Sequence, residues 1–331
     1  MKFKEALGID VSKKKIDAVL YLNGIHDQFD NTVKGYKNLI RWAEKNSNLS
    51  IISVLVCFEH TGLYSFPLAV FFHKSDIRFS MVPALEIKRS LGIVRGKNDK
   101  IDARRIAEYA WLRRETLKPF NLPSNNILKL QKLLVLRQKM VRQKADYSSG
   151  LKEYKAMLKQ KDYEPLFSVY KKMAHYLDNQ IKVLEKEIID LIKLNEEMKR
   201  LYDLIISIKG IGLIIAANFL VVTNCFTNFE NSRKFACYSG IAPFAKESGI
   251  SLKTRSRVSH FANKNMKSLL NLAASSAIQA DPELKAYYQR RLKAGKSKMS
   301  TLNIVRNKIV FRVFAVVKRG TPYIILHKHA G

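Results

Sequence analysis

Ile51-Ile52-Ser53-Val54-Leu55-Val56-Cys57-Phe58-Glu59 is the stretch on which the fold turns. Its apolar, β-rich run is continuous rather than alternating, the pattern of a central strand covered on both faces. It closes on a carboxylate. Toward the N-terminus, residues 6–11 and 16–22 read as two strands joined by the polar turn Ser12-Lys13-Lys14-Lys15. Residues 26–31 are a candidate third strand. Residues 33–46 have helical spacing, with Tyr36, Leu39, Ile40 and Ala43 on one face. Toward the C-terminus, residues 63–73 read as a helix and 77–82 as a strand. A short helical segment follows Pro83. Residues 92–98 are basic and glycine-bearing and read as a mobile loop, and residues 100–112 resume as a helix. Strands first, then strand–helix alternation, predict an α/β domain over residues 1–120.

The rest of the chain is patterned differently. Residues 121–200 are almost free of glycine. Leu177, Ile181, Leu184, Ile188 and Leu191 fall at alternating four- and three-residue steps, a heptad seam. Ile127, Leu130, Leu134 and Val141 mark an earlier helix. The two predict a coiled coil, antiparallel within the chain or paired between chains. Residues 201–331 are helical and basic. Ser207-Ile208-Lys209-Gly210-Ile211-Gly212 separates two apolar helical runs. Such a hairpin can expose backbone N–H groups to a phosphate at Gly210 and Gly212, with Lys209 beside them; an ordinary helix connection is the plainer alternative. Residues 235–253 read as loop-rich and 265–279 as a buried helix.

Charge is the unusual bulk quantity. The 331 residues hold 59 Lys and Arg against 28 Asp and Glu, a net charge of +31 and a pI near 10.0. A compact fold repels itself at that surplus unless a polyanion shares its surface, so nucleic acid is the expected partner. A general reliance on surface lysine is the alternative. The hydrophobic share of 47% excludes disorder as the default. Cys57, Cys225 and Cys237 stand in apolar contexts without metal-site spacing, and read as small buried hydrophobes in a reducing compartment. The chain offers neither a signal segment nor a membrane-spanning stretch, so no membrane partner is expected and the cytoplasm is the expected location.

Against that basic background four acids stand out. Asp10 follows Leu7-Gly8-Ile9 near the end of the first strand, and Glu59 ends the central run. Asp99 and Asp102 are three apart at a helix start, on one face. Carboxylates from three elements could bracket one or two hard cations, Mg²⁺ or Mn²⁺, and so assist phosphodiester chemistry. Each also has a local alternative: Asp10 as a turn cap, Glu59 as a helix-entry residue, Asp99 as an N-cap, Asp102 as a dipole partner. Tyr109 and Trp111 further along the helix read as core. Tyr287, Tyr288, Arg290 and Arg291 suit a nucleic-acid contact.

Gly8-Ile9-Asp10-Val11-Ser12-Lys13, Phe58-Glu59-His60-Thr61-Gly62 and Lys97-Asn98-Asp99-Lys100-Ile101-Asp102-Ala103 resemble motifs of the DEDD transposases of bacterial insertion sequences. Ile208 to Gly212, Phe235 to Pro243, Ser248-Gly249 and Val258-Ser259-His260 continue the resemblance in order. It implies an N-terminal RuvC-like domain of ribonuclease H type, a helical coiled-coil middle and a mainly α C-terminal transposase domain. It implies metal ligands at Asp10, Glu59, Asp99 and Asp102, and a nucleophile at Ser248 that joins covalently to DNA. It further implies DNA and a structured guide RNA as partners, and a homo-oligomer, a dimer or tetramer. From the residues alone, Ser248 in Glu247-Ser248-Gly249 reads first as an ordinary turn serine, and only second as a nucleophile. The family's Lys-Arg-Gly run is replaced by His260-Phe261-Ala262-Asn263-Lys264, with Arg255, Arg257, Lys264 and Lys267 keeping the basic character. Lys97, Lys100 and Arg104 flank the third acidic motif as candidate nucleic-acid contacts. Two other readings stay open: a RuvC-like endonuclease using water as nucleophile, and a non-enzymatic nucleic-acid-binding protein.

Overall fold

The computed structural model describes residues 3–90, 98–248, 252–258 and 262–324. The loop expected at 92–98, apart from Asn98, lies outside the described residues, as do Lys97, Gly249, Ser259 and His260. The chain divides into two compact units, Met1–Leu122 and Pro123–Gly331.

The first unit is a five-stranded mixed sheet with helices on both faces. Its strands are β1 (Glu5–Val11), β2 (Lys15–Leu20), β3 (His26–Asp30), β4 (Val54–Glu59) and β5 (Phe79–Val82), in the spatial order β3-β2-β1-β4-β5. β1, β2 and β3 form an antiparallel meander, while β4 runs parallel to both β1 and β5. This order and mixture of directions are consistent with a ribonuclease H-like fold. The alternation of side chains divides β1 cleanly. Leu7, Ile9 and Val11 join a core with Tyr36 and Leu39 of α1 (Val33–Ser47) and Leu68 and Phe72 of α2 (Phe66–Lys74). Ala6, Gly8 and Asp10 face the other way. There Ala6 packs with Leu55 and Cys57 of β4, and with Ile106, Tyr109 and Ala110 of a helix spanning Asp99–Leu112. The central run is therefore buried on both faces, as its composition predicts, and Phe58 stacks on Phe79 at 5.3 Å.

Two boundaries shift for local reasons. Residues 51–53 form a 3-10 turn before the strand begins at Val54. The helix expected from residue 63 starts at Phe66, because residues 60–65 form a turn in which the Thr61 amide donates to Ser65 Oγ at 3.2 Å. Pro67 then sets the first helical turn, and Leu63 is left exposed. A short α3 (Ala84–Ser90) follows β5, and the Asp99–Leu112 helix is α4.

The second unit opens with α5 (Asn125–Met157) and α6 (Glu164–Lys193), two long helices folded back on each other within the chain. Arg137 pairs with Glu185 at 2.7 Å and Lys144 with Asp178, while Tyr147 and Tyr154 both meet Tyr170 edge-on, so the pair is antiparallel. Leu177, Ile181 and Ile188 of the expected seam are buried, and Ile192, not Leu191, completes it. The ends of this hairpin share one core with α7 (Glu196–Ile206), α8 (Leu213–Thr223), α9 (Ser232–Tyr238), α10 (Lys264–Ala280), α11 (Pro282–Lys293) and α12 (Lys298–Arg319). Residues 235–253, expected to be loop-rich, instead hold most of α9 and the start of an antiparallel hairpin, β6 (Pro243–Ser248) with β7 (Leu252–Val258). Neither strand has a clean apolar alternation, which is why periodicity did not reveal them. Cys237 also departs from expectation: it is exposed on α9, whereas Cys57 is buried. No helix among the described residues is long and apolar enough to cross a membrane.

A carboxylate cluster as candidate functional site

The crossing of α4 over β1 builds this site. A Cβ on Gly8 would overlap the Ala107 amide nitrogen and the Ala103 carbonyl oxygen, so only glycine lets the helix backbone come this close. Val19, Ala103 and Ala107 fill the contact. Asp10 lies two residues beyond Gly8 on the same face of β1. Asp102 immediately precedes Ala103, and Asp99 opens α4 one turn earlier. Glu59 ends β4 on the face of Cys57, next to the end of β1, since Ile9 pairs with Phe58. Acids from three separate stretches of sequence thus converge on one end of the parallel strands, where sheet sites of this kind gather.

The meeting is visible in the acidity of Asp10. Its carboxyl is pushed up from 3.8 to about 6, first by burial and then by the negative charges of Asp102, Glu59 and Asp99; the Val11 amide opposes this. Burial and three like charges all disfavour ionisation. Such a cluster is costly in a protein that uses it for nothing else.

Two of the local alternatives for these acids are filled by other residues. Ser12, not Asp10, caps the β1–β2 turn: its Oγ donates to the Lys15 carbonyl at 2.8 Å and accepts from the Lys15 amide at 3.2 Å. Asn98, not Asp99, caps α4, its side chain accepting from the Lys100 amide at 3.0 Å. α2 begins seven residues beyond Glu59. Only Asp102 keeps its alternative, as an acid in the first turn of α4.

Four carboxylates offer only oxygen, the donor chemistry of a hard divalent cation. Among the described residues no three His, Cys, Asp or Glu side chains are yet drawn together closely enough to enclose an ion. The fit rests on donor type and on mutual repulsion, which a cation would relieve.

Asp17 was not singled out in the sequence, although it is an acid inside an apolar strand. It is the cross-strand partner of Asp10 and is buried. His26 Nε2 meets its Oδ1 at 2.9 Å, and Gln28 Nε2 donates to its Oδ2 at 3.1 Å. Asp17 is thus engaged by its own sheet. Tyr109 is core, as expected, and donates its hydroxyl proton to Glu86 at 2.6 Å. Trp111 stacks on Tyr21.

The remaining candidates lie mostly on the second unit. Ser248 is the last residue of β6, paired with Leu252, rather than part of a free turn. Arg255 and Arg257 lie in β7. Lys100 and Arg104 are exposed on α4, and Lys264 and Lys267 stand in the first turn of α10. Lys209 is exposed. Gly212 is the N-cap of α8 with open space around it, whereas Gly210 has φ +93° and is pressed against α10, its added Cβ 2.6 Å from the Ala273 carbonyl oxygen. Arg290 and Lys308 both lie over the Tyr287 ring, at 5.6 and 4.7 Å from its centre, and Arg291 follows on α11.

Known proteins agree with this arrangement in order along the chain. Residues 7–161 match the DEDD transposase family of the IS110 type, and residues 202–289 match the Transposase IS116/IS110/IS902 family. The pilin gene-inverting protein of Moraxella lacunata is 27% identical over 97% of this chain and 98% of its own length, and that of Moraxella bovis matches equally. An uncharacterized 43.6 kDa protein of insertion element IS110 from Streptomyces coelicolor is 30% identical over 44% of this chain and 34% of its own length. With both family matches in sequence order and full-length relatives alongside, the chain belongs to the DEDD transposases of the IS110 family.

Proposed function

We propose that this enzyme cuts and rejoins DNA as the recombinase of a mobile element, with Asp10, Glu59, Asp99 and Asp102 as ligands of Mg²⁺ or Mn²⁺ and Ser248 as nucleophile. The observation that carries the reading is the raised Asp10 carboxyl, crowded by three further acids in a chain of net charge +31. A cation held there would supply Lewis-acid charge at a phosphodiester oxygen. Ser248 Oγ forms an ester to phosphorus as one bond from phosphorus to a sugar oxygen breaks, and the hydroxyl proton ends on the departing oxygen. Rejoining reverses the step with the hydroxyl of a second strand.

Lys97, Lys100, Arg104, Lys209, Gly212, Arg255, Arg257, Lys264, Lys267, Arg290 and Arg291 would hold the nucleic-acid backbone, which fixes register without reading sequence. The name of the Moraxella relatives, gene-inverting proteins, favours exchange between two DNA sites. A structured guide RNA choosing those sites, and action in the cytoplasm, complete the reading. A homo-oligomer is supported by α6, which carries a second apolar seam: Val169, Met173, Tyr176 and Val183, at steps of four, three and seven, are all exposed. A coiled coil between copies would bury them.

The test is capture of a protease-sensitive protein–DNA adduct in the presence of Mg²⁺. Wild-type protein forms it. Ser248→Ala does not, and Asp10→Ala does not while keeping its nucleic-acid binding. Full recombination by Ser248→Ala would overturn the nucleophile assignment and return the carboxylates to hydrolysis by water.

A further inference from the structure

Two arginines on α12 are withdrawn from solvent, and they are treated differently. Arg312 is held by two carboxylates, Asp281 Oδ2 at 2.6 Å and Glu283 Oε2 at 2.7 Å. Arg306 is 5% exposed and meets no carboxylate among the described residues. Its Nη1 donates to Asn303 Oδ1 at 3.3 Å and its Nη2 to Asn271 Oδ1, both neutral amide oxygens. Its Nε is buried with no partner.

A guanidinium cannot escape this by losing its proton. It is a fixed buried cation with five donors, two of them answered, and none by a charge. Buried charges are ordinarily paired. The group that completes a guanidinium fork is an anion with paired oxygens, a carboxylate or a phosphate. Arg312, on the same helix, shows that this unit supplies carboxylates where an arginine is purely structural.

The position of Arg306 points to the source of the anion. Asn303 and Asn307, on the same stretch of α12, both donate to the Ile241 carbonyl, at 2.7 and 3.0 Å. Ile241 stands two residues before β6, whose last residue is Ser248. Asn263, shortly after β7, donates to the Tyr238 hydroxyl at 2.8 Å. The helix turn that carries Arg306 therefore also holds the root of the β6–β7 hairpin.

We propose that Arg306, oriented by Asn271 and Asn303, seats one backbone phosphate of a nucleic-acid strand at the root of that hairpin. The inference rests on the reading of the chain as a DNA recombinase and adds a positioning residue to it. With so little exposure, the guanidinium meets the strand only as neighbouring side chains part, so the contact forms during docking.

Affinity for duplex DNA and for single-stranded RNA, measured across a salt series, tests the seat in wild-type and Arg306→Met protein. Losing one phosphate contact lowers the slope of log K against log salt by about 0.9 for duplex or about 0.7 for a single strand. The proposal expects that drop with one of the two nucleic acids, and which one identifies the strand. A structural arginine would leave both slopes unchanged, and that result overturns the proposal. So does a response to inorganic phosphate alone. Should Arg306→Met fail to fold, the Nε–H resonance of Arg306 in the wild-type protein gives the answer. It shifts on adding the oligonucleotide if the seat is real, and stays fixed if it is not. Absence of any nucleic-acid binding by the wild-type protein would instead fault the recombinase reading.

Discussion

On the α4 face of the first unit, burial and the charges of three neighbouring carboxylates push the pKa of Asp10 up to about 6. On α12 of the second unit, a guanidinium is buried against two amide oxygens. Residues 1–122 hold 21 Lys and Arg against 13 Asp and Glu, and residues 123–331 hold 38 against 15. The two places are mirror cases. Each gathers or buries charge of one sign where ordinary folding would pair or expose it. On the proposed reading the counter-charge would be a cation in the first and an anion in the second, and phosphodiester chemistry assisted by a metal ion would supply both.

The largest effect should come from removing the acid crowding itself. Asp10→Ala is expected to lower DNA strand exchange by at least about a thousandfold, the scale on which loss of transition-state charge stabilisation acts. A strand-exchange assay with nucleic-acid binding measured in parallel checks it; retained exchange would reduce the first unit to a scaffold. Next is the close crossing that assembles the acids. Gly8→Val forces a side chain into the α4 backbone, and overpacking of this kind costs about 3 kcal/mol. Denaturant unfolding should show it, with the Asp10 carboxyl relaxing toward its ordinary value as α4 moves away.

The raised Asp10 carboxyl also predicts a pH effect of definite sign. The folded state holds this proton more tightly than the unfolded chain, so the metal-free protein loses stability from this group as pH rises through the window from 3.8 to about 6. A shift of that size corresponds to about 3 kcal/mol, reduced to about 1.5 kcal/mol because the site is partly open to solvent screening. Asp10→Asn should therefore be the more stable protein at pH 7 without metal and should lose the advantage at pH 4. An unchanged difference between those two pH values would contradict the crowding.

The smallest effects separate capping from ligation. Asn98→Ala removes the N-cap of α4 and should cost about 1 kcal/mol. Asp99→Ala should cost under about 0.5 kcal/mol in stability, yet reduce activity as Asn98→Ala does not. Thermal unfolding and strand-exchange rates, read together, give both numbers.

Much of this was legible in the sequence because the first unit obeys local rules. The continuous run ending at Glu59, the alternation around Asp10 and the helical spacing of 33–46 each reflect burial on a definite face. The four acids could be identified as a group, but not freed from their capping alternatives. Deciding that required seeing Ser12 and Asn98 perform the caps. Asp17 was passed over because its partner, Asp10, is set by hairpin register, which no local spacing records. The β6–β7 hairpin was missed because neither strand alternates apolar with polar residues cleanly. Nothing in the sequence distinguishes Arg306 from the other basic residues of α12; the packing of α10 against α12 makes it a buried cation.

The central claim is that the four acids form one cation site. Titration of Mn²⁺ followed by its electron paramagnetic resonance signal tests it most directly, comparing wild-type protein with Asp10→Asn and Glu59→Gln. The account predicts saturable binding by the wild-type protein, weakened at least about tenfold in either variant. Equal binding by all three proteins, or none by the wild type, would contradict it.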